Sequence, residues 1–271
     1  MTPPSWDQRI ERAEQLIGAY PFASECLRFY REICSLQKEL YDDLVKRGDP
    51  RGQVGTVIPG PIPLETARVL PWFPRLLDLV QRVGPAMVAQ AAGVLAEQDS
   101  THWRLLLESY GSAPALADAE SYQVEGFFAR ALLQPYAEFL AAQTDHSRHA
   151  YDNGVCPFCG RKPQMGVLRA EGYGARRSLV CSLCLTEWPC PRILCPACGE
   201  QRSDLLSVYT AAQFEQVRVE ACDACRTYMK TIDLTKDGLA IPLVDELATT
   251  PLDLWAGQHG YRKLECNLLG L

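Results

Sequence analysis

The sequence has no apolar run long enough to cross a bilayer. Residues 84–96 carry no charged side chain, but the stretch is shorter than the roughly 18 residues a spanning helix requires, so no membrane association is expected. Histidine is scarce, with only four residues in the chain. His146 and His149 sit three apart and read as an exposed helix end rather than a metal motif. There is no G-x-S-x-G elbow, phosphate-binding loop or dinucleotide fingerprint, and no pair of carboxylates stands out. The expectation is a protein that is not an enzyme. Residues 1–12 include Asp7, Arg9, Glu11 and Arg12 where an export signal needs an apolar core. A soluble, cytoplasmic protein follows as an expectation.

What is present is cysteine, 12 residues among 271, in an ordinary globular mix of 47% hydrophobic and 22% charged residues. That composition supplies enough apolar mass for a buried core, and the length suggests about two domains. In a reducing cytoplasm clustered cysteines are metal ligands or redox groups more often than disulfides. Cys26 and Cys34 come early and Cys266 late, while nine cysteines lie between Cys156 and Cys225.

The first half of the chain has helical periodicity. Over residues 22–46, Cys26, Phe29, Tyr30, Ile33, Leu36, Leu40 and Leu44 recur at three- and four-residue spacing, which predicts a long amphipathic helix ended by Gly48 and Pro50. Residues 57–63 hold three prolines and cannot be helical. Helical patterns resume at 76–97, 101–110 and 120–142, so five or six helices with short connections predict an antiparallel bundle. After Asp145 the pattern changes to Pro, Gly and Cys punctuation with β-type runs at 165–170, 178–181, 205–210, 217–221 and 228–234. Helical spacing returns over 243–259, with Pro251 as a kink or break.

Eight cysteines form four C-x-x-C knuckles: Cys156/Cys159, Cys181/Cys184, Cys195/Cys198 and Cys222/Cys225. The run Cys156-Pro-Phe-Cys-Gly160 matches Cys195-Pro-Ala-Cys-Gly199, and Cys184-Leu-Thr186 echoes Cys225-Arg-Thr227, which gives two copies of a unit of about 40 residues. Two residues between thiolates let one turn present both sulfurs to one ion, and two such turns close a tetrahedron. Glycine after the second cysteine suits a left-handed backbone position that turns amide N–H groups toward sulfur. Consecutive pairing, in which each repeat builds its own site, accounts for the repeat; an interleaved cross-brace leaves it unexplained. A dithiol kept free for redox work is the alternative for one half. Soft S₄ tetrahedra suit both zinc and iron.

The remaining cysteines read as bystanders. Cys26 and Cys34 belong to core packing, Cys190 is a spare buried thiol between the repeats, and Cys266 is incidental. Ribbons of this kind often bind nucleic acid, which requires a basic surface. Residues 156–230 hold more Lys and Arg than Asp and Glu, with Arg176 and Arg177 placed at a hairpin tip. Eight thiolates with two divalent ions turn that excess into about −1, and the whole chain is already at −6. No nucleic-acid partner is expected.

Together Cys156-Pro-Phe-Cys-Gly160, the run from Cys181 to Trp188, Cys195-Pro-Ala-Cys198 and the run from Cys222 to Lys230 resemble the formate dehydrogenase accessory protein FdhE family. The tail resembles it too, through Asp245-Glu-Leu-Ala248, Leu252-Asp-Leu254 and Gly260-Tyr-Arg262, and Leu70-Pro-Trp-Phe-Pro74 fits more loosely. The resemblance implies a multidomain α+β protein: an N-terminal α-helical bundle, two tandem rubredoxin-like (zinc-ribbon) metal modules and a C-terminal helix. The expected division is 1–150 helical, 151–190 first module, 191–236 second module and 237–271 C-terminal helical segment. It further implies two metal ions per chain, iron or zinc, each held tetrahedrally by four cysteines. The implied role is a cytoplasmic maturation factor that contacts the formate dehydrogenase catalytic subunit, with a homo-oligomer allowed. A rubredoxin-like electron-transfer protein and a nucleic-acid-binding ribbon are the alternatives.

Overall fold

The computed structural model describes residues 3–48, 64–112, 124–144 and 154–271. The proline-rich connector at 57–63, the change of character at Asp145, and His146 and His149 lie outside the described residues.

Six described helices make up the first half: α1 (Trp6–Ala19), α2 (Ser24–Arg47), α3 (Phe73–Val83), α4 (Ala86–Ala96), α5 (Ser100–Ser112) and α6 (Val124–Ala142). Ser5 starts α1 with a capping box: its Oγ accepts from the Gln8 amide, and the Gln8 side chain accepts from the Ser5 amide. The predicted stripe of α2 is buried at Phe29, Tyr30, Ile33, Leu36, Leu40 and Leu44, whereas Cys26 is only half-buried and Leu27 and Cys34 complete the buried face. The single helix expected over 76–97 is two helices, because Gly84 and Pro85 interrupt it: Pro85 offers no amide to α3 and instead caps α4.

Helix α6 is buried along nearly its whole length, from Phe127 to Ala141, which identifies it as the central helix. Its two buried charges are both hydrogen-bonded. Glu138 takes a two-pronged hydrogen bond from Arg9 of α1 (3.1 and 2.7 Å). Arg130 donates to the Cys266, Asn267 and Ser182 carbonyls and to the Gln164 side chain at 2.6–2.8 Å.

The second half forms one sheet. Strands β1 (Pro163–Glu171), β2 (Gly174–Cys181), β3 (Glu187–Pro189), β4 (Leu206–Thr210), β5 (Val217–Cys222) and β6 (Thr227–Asp233) lie in the order β3-β2-β1-β6-β5-β4, and β7 (Arg262–Lys263) pairs with β6. The two repeats are therefore joined edge to edge: β1 of the first runs parallel to β6 of the second, with Gly166, Val167 and Leu168 opposite Thr231, Ile232 and Asp233. Gly166 permits the seam, because a Cβ there would lie 2.3 Å from Thr231 Oγ1. The five β-type runs of the sequence correspond to β1, β2, β4, β5 and β6. Strands β3 and β7 are too short to leave a periodic signal.

Alternation along the strands divides the apolar side chains between the two faces. Leu179 and Trp188 join the core of the helical half, whereas Val180, Met165, Val167, Val219 and Ile232 build a second core with Leu243, Leu252 and Ala256. Those last residues come from α7 (Pro242–Ala248) and α8 (Thr250–Gln258), separated at Thr249 ahead of Pro251, which sits in the first turn of α8.

A buried polar cluster pins this helix pair to the sheet. Lys230 Nζ lies 3.0 Å from Glu246 Oε1 and 2.6 Å from Asp253 Oδ2, and Lys263 reaches the same two carboxylates at 2.5 and 3.0 Å. Two cations matched to two anions, with Asn267 donating to Glu246 Oε2 and Tyr228 adding a hydrogen bond to Asp253 Oδ1, satisfy the charges in place.

Candidate metal centres

The four knuckles are built alike. In the first, the Cys156 amide donates to the Arg161 carbonyl (2.7 Å) and the Gly160 amide to the Cys156 carbonyl (2.9 Å). In the third, the Cys195 amide donates to the Glu200 carbonyl (2.8 Å) and the Gly199 amide to the Cys195 carbonyl (2.9 Å). The residue after each second cysteine is left-handed: Gly160 (φ 72°), Leu185 (φ 55°), Gly199 (φ 79°) and Arg226 (φ 57°). Glycine adopts this without strain, whereas Leu185 and Arg226 are held there at a cost, because the turn requires it. In the first cluster the Phe158 and Leu183 amides point at the Cys156 and Cys181 sulfurs (3.4 Å each).

The fold gathers the sulfurs by consecutive repeats. Cys156, Cys159, Cys181 and Cys184 form one group, and Cys195, Cys198, Cys222 and Cys225 another, with all Sγ atoms of a group within 4.8 Å of one another. In the first, Cys156 lies 3.5 Å from Cys184 and Cys159 3.2 Å from Cys181. In the second, Cys195–Cys225 is 3.7 Å and Cys198–Cys222 is 3.8 Å. A metal–sulfur bond of about 2.3 Å implies tetrahedral edges of about 3.8 Å, so both quartets have the size and the donor chemistry to hold a tetrahedral ion.

The electrostatics favour a cation in the middle. Burial pushes the Cys156 and Cys184 thiols well up. Burial also acts upward on Cys181, but hydrogen bonds from Cys156, Cys159, Cys184 and the Leu183 amide outweigh it and hold this thiol well below its ordinary range. Burial likewise acts upward on Cys225, which is nonetheless lowered, chiefly by the Thr227 hydroxyl and Cys198. A cation among the sulfurs would favour the ionised form of the Cys156 and Cys184 thiols that burial opposes.

Two arginines that the sequence pattern leaves unassigned or misplaces support the clusters. Arg177 is not at a hairpin tip; Gly172 and Tyr173 make that turn, and Arg177 is 3% exposed. Its guanidinium binds Glu220 of β5 (2.7 Å), the Cys190 sulfur (2.9 Å) and the Pro191 carbonyl (2.9 Å). Neutralised by Glu220, Arg177 is removed from the surface charge that a nucleic acid would meet. Cys190 is buried, as expected, but it has a specific neighbour in Arg177. Arg130 is the lone basic residue of α6, and it holds the second knuckle through the Ser182 carbonyl (2.6 Å).

Of the other cysteines, Cys34 is fully buried, with its thiol pushed up to about 12 by burial, and Cys26 is half-buried and pushed up to about 11 by the same cause. Cys34 packs in the core of the helical half, as expected, whereas Cys26 lies outside both hydrophobic cores. Cys266 is half-buried.

The family description "FdhE, central domain" matches residues 155–192, and "FdhE, C-terminal domain" matches residues 193–269. The chain is 31% identical over 202 residues to "Protein FdhE homolog" of Aquifex aeolicus, covering 74% of this chain and 70% of that protein. The chain belongs to the FdhE family. A second FdhE homolog, from Pseudomonas putida, is 28% identical and matches 97% of this chain and 86% of its own length. The crystal structure of the FdhE protein from Pseudomonas aeruginosa superposes with a TM-score of 0.72 at 26% identity, over 98% of this chain and 96% of that one. This FdhE-family fold thus carries two tetracysteine groups that could each hold a metal ion. Among the described residues, no helix is long and apolar enough to cross a membrane.

Proposed function

We propose that this FdhE-family chain is a cytoplasmic accessory factor for formate dehydrogenase maturation. In this reading it catalyses no reaction, binds the enzyme's catalytic subunit, and holds one iron or zinc ion in each cysteine quartet. Cys156, Cys159, Cys181 and Cys184 are the ligands of one ion, and Cys195, Cys198, Cys222 and Cys225 those of the other. The observation that carries the reading is the pair of S₄ quartets of tetrahedral size, built by two repeats of one knuckle motif on a shared sheet. When bound, the ion supplies the charge that keeps four clustered thiolates ionised. The protein's own part is to present the sulfurs, aim amides at them and couple the two quartets mechanically through β1 and β6. The assignment keeps the division into a helical unit at 1–150, modules at 151–190 and 191–236, and a C-terminal segment at 237–271.

The test is metal analysis of anaerobically purified protein together with a pull-down of the formate dehydrogenase catalytic subunit. Two ions per chain and capture of the subunit are expected; fewer than about 1.5 ions per chain overturns the two-site assignment. A rubredoxin-like electron-transfer role is the second reading, favoured by the amides aimed at Cys156 and Cys181, because N–H···S bonds tune an iron's potential. A visible spectrum that bleaches and recovers on reduction and reoxidation separates it from a colourless zinc protein.

A further inference from the structure

The two quartets have the same knuckle geometry but differ in how far their second cysteines are covered. In the first, Cys156, Cys159, Cys181 and Cys184 are 1, 6, 0 and 1% exposed, whereas in the second Cys195 and Cys222 are buried, Cys225 is half-buried and Cys198 is exposed. The cause is one side chain per knuckle, the residue just before the second cysteine. In the first repeat these are Phe158 and Leu183, both 2% exposed and packed into the core of the helical half. In the second they are Ala197 and Ala224, both open to solvent. Arg130 of α6 further clamps the first quartet through the Ser182 carbonyl. A cavity of about 70 Å³ borders the second quartet, lined by Cys195, Ala197, Cys222, Arg177 and Arg218.

We infer that the second quartet is an exchangeable metal site, entered at Cys198, and that the first is closed and permanent. The inference rests on the metal-site reading above. An incoming donor must approach the ion as a ligand leaves. In the second quartet Cys198 would be the sulfur released as a bond to the donor forms, its thiolate taking a proton from water, with no electrons changing hands. Cys198 is the leaving ligand because it alone of the eight knuckle cysteines is exposed. The donor class that competes with thiolate for such an ion is a second thiolate or a chelating aromatic nitrogen. At the first quartet the same exchange requires Phe158 and Leu183 to leave the core, so it is limited by local opening of the protein.

The experiment uses the full-length protein loaded with zinc and counted first. Fewer than about 1.5 zinc ions per chain overturns the metal-site reading itself, before exchange is measured. With two ions bound, excess 4-(2-pyridylazo)resorcinol should remove one equivalent at least about 100-fold faster than the other. Iodoacetamide treatment of the loaded protein, read by peptide mass spectrometry, should label Cys198 ahead of every first-quartet cysteine. A197F should slow the fast phase, and F158A/L183A should speed the slow one. Because Ala197 is at the surface, A197F remains informative if the core variant does not fold. Release of both ions in one phase, or labelling that begins in the first quartet, would each overturn the inference.

Discussion

Removing Arg177 tests whether the two repeats are mechanically one unit. This arginine of the first repeat is buried against Glu220 of the second, at side-chain exposures of 2% and 14%. It also binds the Cys190 sulfur and the Pro191 carbonyl between them. R177M keeps most of the volume but leaves Glu220 with Arg218 as its one remaining cationic partner among the described residues. Stripping one partner from a buried ion pair costs about 3–5 kcal/mol. Because Arg218 remains and the Glu220 side chain is partly solvated, the loss should be nearer about 2–3 kcal/mol, or roughly 5–10 °C in Tm. The assay is urea and thermal unfolding of the zinc-loaded protein for wild type, R177M, E220Q and the double variant. The coupling energy should exceed about 1 kcal/mol, because the two side chains share one interaction. Arg177 also lies 3.4 Å from the carbonyl of Leu194, the residue before Cys195. Zinc affinity at the second quartet should therefore fall about 10-fold while the first is unchanged. A loss below about 0.5 kcal/mol, or strictly additive effects, would refute the reasoning.

Four further outcomes follow from the same structure. G166A should destabilise by about 1–3 kcal/mol, because the new Cβ meets Thr231 on the β1–β6 seam, and unchanged urea unfolding would contradict that packing. Glu246 is held down from the ordinary 4.5 to about 2; burial acts upward on it, but Lys230 and Lys263 outweigh burial. Its contribution is complete above about pH 4.5 and is lost as pH falls toward about 2, so stability should drop more steeply in that window for wild type than for E246Q in acid titrations followed by circular dichroism. C159S should lose metal while C190S retains it, since one removes a quartet sulfur and the other a sulfur bound by Arg177; equal loss by elemental analysis would refute the ligand set. On heparin at low salt the protein should pass unretained, in keeping with a net charge of −6 and the pairing of Arg177 with Glu220.

The parts of the fold that were legible in the sequence are those with local causes. The stripe of α2, the five longer strands and the knuckle turns each depend on residues within a few positions of one another. The splitting of 76–97 at Pro85 was equally local and was written in the chain, but the continuous apolar pattern on either side obscured it. Strands β3 and β7 had no comparable signal, because pairs this short exist only where neighbouring strands supply their hydrogen bonds. Arg177 shows the same limit for side chains. Next to Arg176 it looked like surface charge, and only strand alternation and the approach of β5 turn it inward against Glu220.

By itself the sequence determined the chemistry: eight thiols in four turns, repeated in two copies, each copy able to close one tetrahedron. That follows from covalent spacing, which fixes how far apart two sulfurs on one turn can be. Only the tertiary structure decided how the copies are used. It fused them into one sheet through a glycine seam, locked their junction with a buried ion pair, and packed one quartet beneath the helical core while leaving the other at the surface. The physical reason is that burial belongs to no residue alone. Phe158 and Leu183 close a site because they join the hydrophobic core of the helical half, and Ala197 and Ala224 have no such cover.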